Sequence, residues 1–152
     1  MSFKRNIYPK LEAWKDSPNR KPLILRGARQ VGKTTLVNDF SKSFKNSILL
    51  NLEKPTDLRF FEDYKDVTTI KDALFFEYGI PANQINTTLL FIDEIQESPK
   101  AIQLLRYFYE EIPDLHVIAA GSLLEFAIKH VQSFPVGRIE FLYLYPLNFS
   151  EF

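Results

Sequence analysis

The sequence predicts an α/β fold in which a mainly parallel, five-stranded sheet lies between two layers of helices. Short apolar runs of strand length alternate along the chain with stretches whose apolar residues recur every three or four positions, the spacing of one helix face. The run at residues 88–92 is continuously apolar, as expected of a strand that is covered on both faces. Strands that alternate with helices pair in parallel, and the helices then pack on both faces of the sheet.

The first half of the chain contains a helical lead-in over residues 1–21 and two predicted strands, at residues 23–26 and 47–52. Helical spacing of apolar residues follows each strand. These apolar positions are Leu36, Val37, Phe40 and Phe44 after the first strand, and Leu58, Phe61, Ile70, Leu74 and Tyr78 after the second. Gly79 and Pro81 are typical of the end of a helix, so we expect the last of these helices to stop there.

The second half begins with the strand at residues 88–92 and has the clearest helix start in the chain. Ser98 is a favoured N-cap and Pro99 occupies the first helical position, so a helix is predicted from there to Pro113. Two further strands are predicted at residues 115–120 and 138–144, with a helix at 123–130 between them. Ligands of parallel sheets bind at the carboxyl ends of strands, which places Gly27, Asp93 and Gly121 at one edge.

Composition excludes several classes of protein. The 152 residues suffice for one domain, and Lys and Arg balance Asp and Glu at 19 each, so bulk charge does not indicate nucleic-acid binding. The chain has no cysteine and only two histidines, His116 and His130, which almost excludes zinc chemistry. We find no secretory signal and no apolar stretch long enough to span a membrane, and we therefore expect a cytoplasmic protein.

Residues 27–34 match the phosphate-loop pattern G-x-x-x-x-G-K-[ST] at every required position. The pattern follows a predicted strand and opens a predicted helix, which is the context that it needs. Backbone amides and the helix N-terminus favour phosphate, Lys33 would reach the β- and γ-phosphates, and Thr34 would hold Mg²⁺ through its hydroxyl. The nucleotide-binding residues predicted from this loop are Gly27, Ala28, Arg29, Gln30, Val31, Gly32, Lys33, Thr34 and Thr35.

Two adjacent carboxylates, Asp93 and Glu94, end the apolar strand at 88–92. Charges at that position need a cationic partner, and a Mg²⁺-nucleotide would supply it. Asp93 is therefore predicted to hold Mg²⁺, and Glu94 to orient or deprotonate the attacking water. Glu53, just past the second strand, is a rival for the catalytic carboxylate, but adjacency to Asp93 favours Glu94.

Three other residues have two interpretations each. Ser122, at the end of the fourth strand, could contact the γ-phosphate or the water, or only cap the next helix. Arg138 could act as an arginine finger or γ-phosphate sensor, or be a surface charge at the start of an edge strand. Trp14 could border an adenine pocket, although anchoring the N-terminal helix is favoured.

The order of these motifs resembles that of the AAA-type ATPases of family AAA_14, which are bacterial and archaeal proteins that usually also carry a C-terminal domain of unknown function, DUF4143. The resemblance extends from about residue 8 to residue 152. The segments that carry it are residues 22–36, 90–96, 120–122, 136–138 and 145–152. It implies a P-loop NTPase whose extra strand gives the sheet order 5-1-4-3-2, with Walker A at 27–35, Walker B at Asp93 and Glu94, and sensor 1 at Ser122.

The resemblance implies an AAA-type ATPase core over residues 1–152, with its nucleotide-binding part at 22–144 and the start of a connection to a missing C-terminal domain at 145–152. Neither a helical lid nor a sensor-2 arginine is present in the sequence. We therefore expect MgATP hydrolysis coupled to a C-terminal domain or partner, or alternatively a nucleotide-gated binding module with little turnover. The aromatic residues near the C-terminal end would contact a neighbouring domain, and could drive self-association without one. They are Phe141, Tyr143, Tyr145, Phe149 and Phe152.

Overall fold

The computed structural model describes residues 2–27, 32–121 and 137–144. The strands are β1 (Leu23–Gly27), β2 (Asn46–Asn51), β3 (Thr88–Asp93), β4 (His116–Ala120) and β5 (Glu140–Leu144). The helices are α1 (Ser2–Asp16), α2 (Lys33–Ser41), α3 (Pro55–Glu62), α4 (Val67–Tyr78) and α5 (Pro99–Glu111). Short 3₁₀ helices at Ala82–Thr87 and Ile95–Glu97 precede and follow β3.

The sheet has the order β2-β3-β4-β1-β5, and every neighbouring pair is parallel. Counted from the other edge, this is the predicted order 5-1-4-3-2, so the fold class is confirmed. After β1 the chain crosses to β2 at the far edge of the sheet, and β3 and β4 then fill the space between them. β1 therefore lies between β4 and β5. The carboxyl ends of β1, β4 and β3 therefore lie side by side.

The predicted strand boundaries were wrong by one or two residues because backbone pairing, not hydrophobicity, sets them. β2 begins and ends one residue earlier than predicted, since it pairs with β3 from Asn46 opposite Thr88 to Asn51 opposite Asp93. β5 starts at Glu140, its first partner on β1 being Leu23, and Arg138 lies in the preceding bend. The predicted helix at 123–130 lies outside the described residues.

The hydrophobic core consists of two clusters, one on each face of the sheet. Alternate residues of β3 enter different clusters: Leu89 and Phe91 pack beneath α1 and α2, whereas Leu90 and Ile92 pack beneath α3, α4 and α5. Burial on both faces explains why this strand is apolar throughout. Among the described residues, no helix combines the length and the hydrophobicity that crossing a bilayer requires.

Trp14 anchors α1 at the amino ends of the strands. Its indole N–H donates to the Lys21 carbonyl at 2.7 Å, and its ring meets His116 edge-on with centroids 5.7 Å apart. His116 opens β4, so this contact lies at the edge of the sheet opposite to the carboxyl ends. The anchoring interpretation of Trp14 is therefore correct, and the adenine-pocket alternative is not.

The aromatic residues near the C-terminal end are described only in part. Phe141 and Tyr143 lie on edge strand β5 and remain 44% and 46% exposed, and the Arg26 guanidinium lies over both rings. Tyr145, Phe149 and Phe152 lie outside the described residues.

Candidate functional site

The candidate site lies where three central strands end. β3 and β4 pair up to Ile92 opposite Ala119, and β1 and β4 up to Leu25 opposite Ala120. Gly27, Asp93 and Gly121 therefore lie at the carboxyl ends of three adjacent strands, at one edge, as the sequence predicted. Because β1 runs into the phosphate-loop segment and α2 begins just after it, the N-terminus of α2 faces this edge.

The described glycines of the loop explain two fixed positions of its pattern. Gly27 has φ 145° and Gly32, which opens α2, has φ 75°, both values that residues with a Cβ rarely adopt. Ala28, Arg29, Gln30 and Val31 lie between them and outside the described residues, so their predicted phosphate contacts stay predictions.

Lys33 is a buried cation at the head of α2, with only 8% of its surface exposed. Its ammonium donates to the Gly27 carbonyl and to the Gly121 carbonyl, each at 3.3 Å. A buried ammonium needs such oxygen partners. Lys33 thus provides positive charge between the ends of β1 and β4, where an anionic ligand would benefit from it.

Thr34 and Asp93 are hydrogen-bonded to each other at the edge where Lys33 lies. The Thr34 hydroxyl donates to Asp93 Oδ2 at 2.9 Å, and Asp93 Oδ1 accepts from the Glu94 N–H at 2.9 Å. Burial raises the pKa of Asp93 above its ordinary value, against the opposing effect of these hydrogen bonds. A cation bound beside Asp93 would favour its ionised form.

The donor set fits Mg²⁺ better than a cation that needs a complete protein cage. Within the described part of the chain, no cluster of three or more His, Cys, Asp or Glu residues could hold a metal. Mg²⁺ retains several waters and takes its remaining ligands from one or two protein oxygens and from substrate phosphates. The hydroxyl of Thr34 and the carboxylate of Asp93 are such a pair.

Glu94 has an unusual backbone conformation. It is the one non-glycine residue with positive φ among the described residues, with φ 51° and ψ 47°. For a residue with a side chain this conformation costs about 1–2 kcal/mol, and such strain is concentrated at functional sites. The turn ends β3, and within it the Glu94 N–H donates to Asp93 Oδ1. Gln96 Nε2 donates to Glu94 Oε1 at 2.8 Å.

Comparison with known proteins identifies the family. The model of family AAA_14, described as an AAA domain, matches residues 19–152. The chain belongs to this family. This AAA domain is similar to a chain in the structure of Drosophila ORC bound to DNA. The similarity covers 99% of the AAA domain and 96% of the ORC chain, with a TM-score of 0.53 and 16% sequence identity. This likeness supports the fold. A comparison with curated proteins finds no match.

The AAA domain places the rival carboxylate farther from the site. Glu53 is exposed in the turn after the edge strand β2, and its N–H is bonded to the Asn51 side chain at 2.9 Å. Glu94 instead follows β3, which lies directly beside β4. The choice of Glu94 over Glu53 as the catalytic carboxylate stays a prediction.

Of the two remaining candidate residues, the structure describes Arg138 but not Ser122. Arg138 precedes β5, at the amino end of the sheet, and its Nε lies 3.0 Å from Glu110 Oε2. The structure places Arg138 and the Lys33–Asp93 site at opposite ends of the strands, and its predicted role as arginine finger or γ-phosphate sensor stays a prediction. Ser122 lies outside the described residues, and its role stays a prediction.

Sequence reasoning missed one residue of the site, Gln96. Its contact with Glu94 depends on the left-handed turn at Glu94 and on the 3₁₀ helix Ile95–Glu97 that follows. Neither is signalled by the hydrophobic pattern. The only sequence signal is the polar residue two positions after the carboxylate pair.

Proposed function

We propose that this AAA domain binds MgATP at the carboxyl edge of its sheet and hydrolyses it to ADP and phosphate. The observation that carries the proposal is the Thr34–Asp93 pair, joined at 2.9 Å beside the buried Lys33 ammonium. A nucleoside triphosphate site requires oxygen ligands for a divalent metal ion and a positively charged side chain for the phosphates. Both are needed at the N-terminus of a helix.

Binding is assigned to the loop and the two strand ends. Residues 27–35 would surround the phosphates, Lys33 would contact the β- and γ-phosphates, and Thr34 and Asp93 would hold Mg²⁺. The bound Mg²⁺ supplies charge neutralisation of the phosphate oxygens. The choice of ATP over GTP follows from the family.

Hydrolysis is assigned to Glu94. Its carboxylate would accept a proton from water while the water oxygen bonds to the γ-phosphorus and the bond from the γ-phosphorus to the β–γ bridging oxygen breaks, releasing ADP. Lys33 would stabilise the negative charge on the transferred group. Turnover would be coupled to a conformational change in a C-terminal domain or partner, with the aromatic end of the chain as the contact.

The experiment compares three variants of the same protein by calorimetry with MgATP and by steady-state phosphate release. Lys33→Ala should lose most MgATP affinity, because the buried cation is removed. Glu94→Gln should keep affinity and lose turnover by about 10²–10⁴-fold, the usual contribution of a general base. Glu53→Gln is the matched control, a carboxylate at the end of the neighbouring strand, and should match the wild type.

Two results would contradict this proposal. Full MgATP affinity in Lys33→Ala would refute the site. Normal turnover in Glu94→Gln together with loss in Glu53→Gln would move the base to the rival carboxylate. A wild-type protein that binds MgATP without turnover would instead favour the nucleotide-gated binding module.

A further inference from the structure

Gln96 links the ends of two strands at the candidate site. Its side-chain Nε2 donates to Glu94 Oε1 at 2.8 Å, just beyond the end of β3. Its Oε1 is turned towards Gly121, the residue that follows β4 and whose carbonyl accepts from Lys33. One amide group therefore lies between the carboxylate proposed as the base and the strand end that holds the phosphate-binding lysine.

The absence of a side chain at Gly121 leaves room for the Gln96 amide. A Cβ on residue 121 would lie 2.0 Å from Gln96 Oε1 and 3.2 Å from its Cδ, far inside contact distance. Gly121 is not among the glycines with positive φ, so its backbone does not need glycine. The requirement at this position is space for the neighbouring side chain.

The Gln96 amide is held closely on both sides. Its Oε1 is buried and has no hydrogen-bond partner among the described residues, which carries a desolvation cost. Rotating the side chain into solvent would hydrate Oε1 and remove the desolvation cost. It would also break the bond from Nε2 to Glu94, because Oε1 and Nε2 belong to the same amide. An amide packed between a strand end and a carboxylate restricts the orientation of the carboxylate to which it donates.

We infer that Gln96 is a positioning residue that holds the Glu94 carboxylate in its working orientation, and that Gly121 is required because it leaves room for Gln96. The inference rests on the proposed hydrolysis, in which Glu94 is the base. A carboxylate that accepts a proton from water must be held within hydrogen-bond reach of it, and a shift of 1 Å can cost about 10²-fold in rate. The bond from Gln96 restricts one oxygen of that carboxylate.

The test uses kcat and MgATP affinity of variants of the whole chain. Gln96→Met keeps the length and apolar bulk of the side chain but removes the donor. We expect kcat to fall about 10- to 100-fold while the Kd for MgATP stays within about twofold, since Gln96 donates to Glu94, whereas the Lys33 and Thr34 bonds go to Gly27, Gly121 and Asp93. Glu97→Ala, in the same 3₁₀ helix but exposed, is the matched control and should match the wild type.

Gly121→Ala provides an independent way to displace the amide. The added methyl group would push the Gln96 side chain away from Glu94, and the kcat of Gly121→Ala should fall as in Gln96→Met. The double variant should be no slower than the slower single variant, because both changes remove the same contact. Thermal unfolding of each variant shows whether the fold is intact.

Three outcomes would overturn the inference. Wild-type kcat in Gln96→Met would show that the donor is not needed, and hydrolysis by Glu94 would still stand. A kcat loss accompanied by an equal loss of MgATP affinity, or multiplicative losses in the double variant, would show a general structural role. Absence of turnover in the wild type would refute the proposed hydrolysis itself, and this role with it.

Discussion

His116 shows how burial sets the charge of a single side chain. It is 5% exposed, and its ring lies edge-on to Trp14 and to Phe44, with centroids 5.7 Å and 4.9 Å away. Nε2 is 3.3 Å from the Lys15 carbonyl and is therefore the protonated nitrogen. Burial, reinforced by the charge of Arg20, lowers the pKa of His116 to about 4. The imidazole is therefore neutral in the folded protein at neutral pH.

This pKa predicts acid sensitivity. Because the folded pKa of about 4 is below the ordinary value of 6.5, the unfolded state binds more protons between these values, and stability falls as pH falls through that window. The full shift corresponds to about 3 kcal/mol. The urea midpoint should decrease between pH 7.5 and pH 5, and this decrease should be smaller in His116→Leu than in the wild type. Equal pH dependence in the two proteins would contradict the assignment.

At the scale of an element, α5 shows how a short local signal determines a helix that supports the site. The Ser98 hydroxyl accepts from the Ala101 N–H at 3.0 Å, and Pro99 occupies the first turn. The helix packs its apolar face into the cluster beneath β3 and β4, and it contacts the 3₁₀ helix that carries Gln96. A change at its start should therefore affect stability and not only local helicity.

Ser98→Ala should destabilise the protein by about 1 kcal/mol, because the Ala101 N–H loses its partner in a buried position. Chemical denaturation measures this as a lower midpoint with an unchanged slope. Thr68→Ala, an exposed position in α4, is the control and should stay within about 0.5 kcal/mol of the wild type. Equal stability of Ser98→Ala and the wild type would show that the cap contributes nothing.

At the scale of the whole molecule, the candidate site depends on the complete sheet. Lys33 bonds to the last residue of β1 and to the residue that follows β4, and Thr34 bonds to the last residue of β3. A ligand that contacts these groups can bind only when all three strands are assembled, since the unfolded chain holds them far apart. Nucleotide binding and folding should therefore be linked.

MgATP should raise global stability in proportion to its occupancy. At a concentration of about 100 times Kd, a ligand that binds only the folded state adds about 2.7 kcal/mol, which raises Tm by several degrees in a chain of this size. Thermal unfolding with and without MgATP measures the effect. Lys33→Ala should show no such rise, and an equal rise in both proteins would indicate binding elsewhere.

The sequence by itself determined the local features of this protein. Helix and strand periodicity, the caps at Ser98 and Gly79, and the phosphate-loop spacing depend on residues a few positions apart, so they can be recognised without the fold. Placing Asp93 at the same edge as Gly27 also needed only the rule that parallel strands end together. The strand order was predicted through the family resemblance and not from periodicity.

Only the tertiary structure decided which distant residues meet. The position of Arg138 at the opposite edge follows from where β5 begins to pair with β1, and the contact of Gln96 with Gly121 follows from the adjacency of β3 and β4 and from the left-handed turn at Glu94. These depend on backbone pairing and on space between residues that are remote in sequence. Hydrophobic pattern records which face of an element is buried, but not which neighbour buries it.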